Sequence, residues 1–452
     1  MNVKNTVLAV LPPFLKVYAR QVEASPLGYR LARGAFWSVA GAVISRGLGI
    51  ASSIVVARTL GKVGFGELGI INSTTMMFQL FAGFGLGLTA TKYVAEHRRS
   101  DPLKAGRIIG MSWIVTAVTG GICAVLLAVF APWLAVHALA APHLSGLLRI
   151  TAIALFISAL NAAQGGALSG FEAFKTIATL NLIAGLFSFP IMITGVLLAG
   201  LKGAVWATVV SCAANWFICH LAVRKEARRF KVPLTFSGCS QELPLIWEFS
   251  LPVVLGGMMV TPVNWVCNAM LVNQPNGYAE MGIFSAANQW RTAILFVPGT
   301  IGAVVLPVLS NLYGVNDRVK YKKVLWLNIV FTGSVALFVA VPIAALSSFI
   351  MASYGTDFKE GWITLVLLSA VAVITATLNV VGQAIASASK MWSGFILNLI
   401  WAVTFLVATW FLKDLGATGL ALATLLSYGV HLVTVSLYTR FAVLNSFLTE
   451  KA

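Results

Sequence analysis

Long apolar runs alternate with short polar connections along the whole chain. A helix needs about twenty mostly apolar residues to cross the hydrocarbon core of a bilayer. Runs of that kind fall near 34–58, 66–90, 108–131, 147–169, 175–199 and 203–223, and again near 247–272, 281–313, 325–352, 362–386, 392–412 and 416–438. The run 281–313 exceeds one span and carries Pro298 and Pro307, which predicts a kink or a short helical tail.

Sorting Lys and Arg by connection orients these spans. Alternate connections hold twenty-three of them: the N-terminal tail, 91–107, Lys175, 224–246, 314–324, Lys390 and the C-terminal tail. The intervening connections hold four, Lys62, Lys202, Lys359 and Lys413. Cytoplasmic connections carry the excess of Lys and Arg, so both termini are expected in the cytoplasm. A miscounted span would scramble this alternation.

Composition agrees. The chain has 452 residues, 59% hydrophobic and 10% charged, against about a quarter charged in soluble proteins. Thirty-one Lys and Arg outnumber fourteen Asp and Glu. They form no basic domain interleaved with aromatics, which argues against nucleic acid. The five Cys include no CxxC pair and the five His are scattered, so packing thiols and no metal site are expected. Residues 1–33 faintly resemble a signal peptide, but Pro12 and Pro13 interrupt the apolar run and no small-residue cleavage site follows. An uncleaved cytoplasmic extension is expected there. Trp133, Trp247, Trp326, Trp362 and Trp392 fall near span ends, as in an aromatic belt.

Two segments match. Gly64-Phe65-Gly66-Glu67-Leu68-Gly69-Ile70-Ile71 and Gly277-Tyr278-Ala279-Glu280-Met281-Gly282-Ile283-Phe284 share four identities and similar character elsewhere. Each joins the first helix of a six-helix set to the second. The expected fold is all-α and polytopic, with about twelve transmembrane helices in two six-helix bundles related by a parallel pseudo-two-fold repeat. The expected divisions are an extension 1–33, bundles 34–223 and 247–440, a basic cytoplasmic linker 224–246 and a tail 441–452.

Two charges lie where a bilayer penalises them. Arg46 is twelve residues into the first span, roughly 18 Å from Arg58 at its outer end. Arg291 lies roughly 15 Å deep in the eighth span. An Arg at the bilayer centre costs about 2.5–3.5 kcal/mol on insertion scales. No acid stands at matching depth to form a buried ion pair, so a wet cationic cavity is expected. Guanidinium forks suit phosphate oxygens, which makes an anionic phosphate or diphosphate substrate the working reading. Arg58 and Arg149 lie near the outer interface, where snorkelling to headgroups explains them. They complete a candidate binding set with Asn72, Asn264 and Gln289. The amides on the first two helices of each half are the better cavity candidates, and helix–helix hydrogen bonding is the default for the others. Glu67 and Glu280, with Gly64 and Gly277, are expected to shape or cap turns in the repeat.

No GxxxxGK[ST] sequence occurs. The outer connections are short, and the larger inner ones are basic and poor in acid–base pairs. A transporter without a cofactor is therefore expected in preference to an enzyme.

Ala57-Arg58-Thr59-Leu60-Gly61 followed by Gly64-Phe65-Gly66 resembles the polysaccharide-export, O-antigen (Wzx-type) flippases of the multidrug/oligosaccharidyl-lipid/polysaccharide superfamily. Gly85-Leu86-Gly87-Leu88 before Lys92-Tyr93, Pro298 through Pro307-Val308-Leu309-Ser310, and Tyr354-Gly355 with Phe358 are similar to further elements of that family, in the same order. The resemblance implies a V-shaped two-bundle fold in the bacterial inner membrane. It also implies translocation of undecaprenyl-diphosphate-linked oligosaccharide for lipopolysaccharide or another polysaccharide, through a cationic cavity and without ATP. Membrane lipids, a polysaccharide polymerase and chain-length machinery are the implied partners. The lipid II flippase branch carries two further helices, beyond the count here. A membrane glycosyl polymerase or ligase, or a cation-coupled multidrug exporter, is the alternative reading; the exporter would use membrane-embedded acids, and none stands at depth.

Overall fold

The computed structural model describes residues 26–251, 254, 259–302, 305–388 and 391–443. Most of the expected N-terminal extension, Lys390 and the end of the C-terminal tail lie outside these residues. Among the described residues every regular element is helical. The stretch Pro26–Gly83 is two helices, α1 and α2, meeting at Gly61, whose φ of 68° and ψ of 178° no helix accommodates. Phe84 and Gly85, both at positive φ, separate α2 from α3 (Leu86–His97). Then come α4 (Pro102–Trp133), α5 (Ser145–Gly170), and the stretch Phe174–Arg229, which is α6 and α7 meeting at Ala199–Gly200. After the linker follow α8 (Thr261–Val272), α9 (Gly277–Gly302), α10 (Val305–Gly314), α11 (Arg318–Ala345) and α12 (Ser347–Tyr354), then α13 (Trp362–Ser387), α14 (Met391–Leu412) and α15 (Gly416–Tyr438).

Among the described residues seven helical stretches are long and apolar enough to cross a membrane. Three of these stretches, 43–83, 174–229 and 392–442, are each broken into two helices, at Gly61, at Ala199–Gly200 and at Lys413–Gly416. The expected runs 247–272 and 281–313 fall on α8 and on α9 with α10; Pro298 lies inside α9 and Pro307 in the first turn of α10. All five belt Trp are exposed.

Helix α1 is already formed at Pro26, ahead of the expected start near 34, and α7 runs to Arg229, six residues past 223. Residues 224–229 are mostly strong helix formers, and Arg228 and Arg229 suit the negative end of the helix dipole. Glu226, buried, accepts from Thr176 Oγ1 at 3.0 Å and from Arg229 at 3.3 Å. The rest of the linker lies on α4. The carbonyls of Pro233 and Thr235 occupy the space a Cβ would need at Gly106 and Gly110, and Arg107 meets the buried Glu242 at 3.2 Å.

The third helix of each set opens with the same device. Asp101 Oδ1 accepts from Lys104 N and Asp317 Oδ1 from Lys320 N, each at 3.0 Å. Such a cap contributes about 1 kcal/mol.

Buried clusters set the overall shape. One runs through both halves at one end, joining Phe65, Ile70 and Ile71 to Met281, Ile283, Tyr354 and Phe358. At the other end the halves keep separate cores, one around Ile108, Phe171 and Val223, the other around Leu309, Tyr321 and Val380. The halves therefore join at one end and part at the other, on the side of the basic connections.

The joined end is a crossing of α2 and α9 made by the matching segments. A Cβ on Gly66 would run into the Tyr278 carbonyl, one on Gly69 into Ser285 Oγ, and one on Gly282 into the Lys62 carbonyl. Small residues let two helix backbones approach this closely. The segments that match in sequence thus lie against each other in space.

Candidate functional site: a polar cavity between the halves

Between the parted halves lies a cavity of about 1130 Å³, lined by α1, α2, α6, α8, α9 and α15. From α1 come Ser45, Gly49, Ser52 and Ser53; from α2, Gly69, Asn72, Ser73 and Gln79. Helix α9 adds Ser285, Asn288, Gln289, Arg291 and Thr292. These positions recur at intervals of three or four, which puts each set on one helix face. A second cavity of about 480 Å³ adjoins the first and shares Ser45, Gly49, Gln289 and Thr292 with it. It is lined also by Arg46, Ile50, Asn181 and Phe296. Among the described residues no Asp or Glu lines either cavity.

Arg46 and Arg291 thus reach neighbouring chambers rather than a single one. Arg46 is exposed, and has no hydrogen bond or ion pair among the described residues. Arg291 donates from Nε to Asn288 Oδ1 at 2.8 Å, one turn back on α9. That bond fixes the guanidinium and leaves its terminal nitrogens for the cavity.

Asn72, Asn264 and Gln289 line the main cavity; Asn264 Nδ2 also donates to Val260 O at 2.7 Å. Gln79, Asn268 and Asn288 join them. Amides elsewhere go to helix packing: Asn161 donates to Cys212 O at 3.1 Å, and Gln164, with its amide oriented to suit, pairs with Trp216.

Arg58 and Arg149 line neither cavity. Arg58 Nε donates to Ser353 O at 2.7 Å, across to the other half, so a helix-end carbonyl holds the side chain expected to snorkel. Arg149 reaches Ala128 O at 3.4 Å. Glu67 meets His143 Nε2 at 2.6 Å, and Glu280 Oε2 accepts from Ala417 N at 2.8 Å, capping α15. Gly64 and Gly277 pack against Leu60 and against the backbone of Leu271 and Val272. Paired glycines in an apolar run, Gly165-Gly166 and Gly256-Gly257, permit close backbone approach; Gly166 packs on the Gly87 backbone, and Gly256-Gly257 lies outside the described residues.

Sequence reading missed the small polar residues. Ser45, Ser52, Ser53, Asn181, Ser188 and Ser285 line the chambers, and Tyr354 OH ties Ser53 Oγ at 3.3 Å to Trp290 Nε1 at 3.1 Å. Their signal was the helical spacing of Ser and Gly within an apolar run, which charge alone does not reveal. Further bonds across the halves run from Trp265 Nε1 to Thr74 Oγ1 at 2.9 Å and from Asn268 Nδ2 to Ser73 Oγ at 2.8 Å.

Comparison with known proteins agrees with this architecture. The chain is 26% identical over 399 residues to the EPS I polysaccharide export inner membrane protein EpsE of Ralstonia solanacearum, covering 86% of this chain and 88% of that protein. It is 22% identical over 292 residues to the lipid III flippase of Escherichia coli K12, covering 62% and 68%. Its fold matches a multidrug resistance MATE family transporter of the MOP superfamily in an inward-facing conformation. The TM-score is 0.79 at 16% identity, over 90% of this chain and 96% of that one. The model of the polysaccharide biosynthesis protein family matches residues 31–313, more than half of the chain, and the chain belongs to that family.

Proposed function

We propose that this protein is a flippase that carries an oligosaccharide linked to a polyprenyl diphosphate, such as undecaprenyl diphosphate, across the inner membrane by alternating access. One observation supports the reading: Arg291 and Arg46 are among the residues lining two adjoining polar chambers between the halves, and among the described residues no Asp or Glu lines either. A diphosphate supplies the oxygens that two guanidinium forks bind. Amides and hydroxyls from α1, α2 and α9 supply partners for sugar hydroxyls, while the prenyl chain stays in lipid. The halves part on the side of the basic connections, which the positive-inside rule assigns to the cytoplasm; substrate would be loaded from there. EpsE and the lipid III flippase, as their names describe them, act in export and flipping.

Delivery of O-antigen or another lipopolysaccharide unit, with a polymerase and chain-length machinery acting afterwards, extends the same reading. A cation-coupled drug exporter would need a carboxylate at the cavity. The two acids in the repeat instead face His143 and the α15 amide.

The test is export in cells. Arg46→Ala and Arg291→Ala are each expected to lower delivery of lipid-linked oligosaccharide to the outer leaflet at least about tenfold, the loss of one charge-assisted interaction, at unchanged protein levels. Normal export in both variants would overturn the reading. Accumulation of externalised but unpolymerised units on deletion would favour a polymerase instead.

A further inference from the structure

We propose that two reciprocal clasps, one from each half, hold the outer end shut, and that together they form the gate on that side. In each clasp the aromatic residue of one repeat segment docks on the connection after the third helix of the other half. The proposal rests on the alternating-access reading above.

The first clasp runs from the C-terminal half to the N-terminal half. Tyr278 OH donates to Leu139 O at 2.6 Å, and Asn273 Nδ2 donates to Ala138 O at 2.7 Å. Both carbonyls lie at the end of the π turn Leu134–Ala138 that follows α4. The second clasp runs the other way. The Phe65 ring packs on Tyr354 and Phe358, with centroids 6.2 and 6.1 Å away, and Arg58 Nε donates to Ser353 O at 2.7 Å. These acceptors lie on α12 and the turn Thr356–Gly361, which follow α11. Helices α4 and α11 are the third of their sets.

Phe65 and Tyr278 hold the same position in the matching segments. Arg58 and Asn273 each come from the end of the first helix of their own half. Each clasp therefore combines one aromatic ring with one polar side chain on a carbonyl at a helix end. Such carbonyls lack intrahelical partners and carry the negative end of the helix dipole, which suits the Arg58 guanidinium in particular. The pairing explains two sequence features at once: why the repeat keeps an aromatic residue at this position in both halves, and why Tyr354 and Phe358 belong to a recognisable motif. The N-terminal connection is also fixed to its own half, through His143 and Glu67.

Clasp bonds exist only while the outer end is closed, so losing either one shifts the equilibrium toward opening. Removing one such bond is expected to raise the open population about fivefold, and removing one from each clasp about 25-fold.

The experiment uses Ser188→Cys as a reporter in the cavity wall, in an otherwise native chain, probed by a membrane-impermeant thiol reagent. The reagent is added to the outer face of spheroplasts and, separately, to inverted vesicles. Tyr278→Phe and Arg58→Met are each expected to raise labelling from the outer face by that factor and lower it from the inner face; the double variant should do both more strongly. Ala138→Cys with Asn273→Cys should form a disulfide on oxidation that suppresses outer labelling until reductant is added. Outer labelling equal in all variants, a rise on both faces, or no disulfide would each overturn the clasps. No substrate enters the assay, so a flat result leaves the flippase reading standing. An export defect in the Arg46 and Arg291 variants bears on that reading alone.

Discussion

Asn288 and Arg291 show how a charge is made useful inside an apolar helix. The Asn288 amide oxygen accepts a hydrogen bond from Arg291 Nε, and Arg291 lines the cavity. Asn288→Ala is expected to weaken binding of a polyprenyl diphosphate about fivefold, the worth of one hydrogen bond, with unchanged thermal stability. Asn288→Asp should weaken it further by pairing the cation. Titration of purified protein with the diphosphate checks both. The repeat's acids behave differently. Glu280 caps α15 beside Gly416, where the φ of 61° and the nearby carboxylate leave no room for a Cβ. Glu280→Ala is expected to cost about 1 kcal/mol of stability, read as a lower melting temperature. Glu280→Gln should leave export intact, and a drug exporter driven through this acid would lose it. The charged members of this set were legible because each breaks an apolar run. Arg58 was legible as unusual, but its partner was not, since a carbonyl 295 residues away leaves no mark in sequence.

At the scale of the element, the α2–α9 crossing depends on missing side chains. Gly66 faces the Tyr278 carbonyl, whereas Gly64 faces only the Leu60 side chain of its own helical hairpin. Gly66→Ala is therefore expected to spread the closed end and raise outer-face labelling of the Ser188→Cys reporter more than Gly64→Ala does. Equal effects would remove the crossing as the cause. The apolar runs showed where helices lie, and the eight-residue match showed which two correspond. Sequence did not show that these two would touch. Nor did it show α7 continuing to Arg229 or the linker lying on α4, because both depend on partners such as Glu226, Gly106 and Gly110. Polar Ser and Asn on α1 and α6 escaped notice because such residues are common in buried helix contacts.

For the whole molecule, one shared core and two separate ones leave a wedge between pseudo-symmetric halves. The wedge holds the chambers, and its closed end is the helix crossing. The alternation of basic connections is a property of the chain as a whole, and under the proposed reading the open side faces the cytoplasm. The central claim is that two guanidinium groups in these chambers hold a diphosphate. Binding of a polyprenyl diphosphate to purified protein in lipid vesicles, compared with the uncharged polyprenol, tests it most directly. The wild-type protein should prefer the diphosphate strongly, and Arg46→Ala with Arg291→Ala should weaken its binding at least about 100-fold, the worth of two charge-assisted contacts. Equal affinity in the wild-type and doubly substituted proteins would contradict the account.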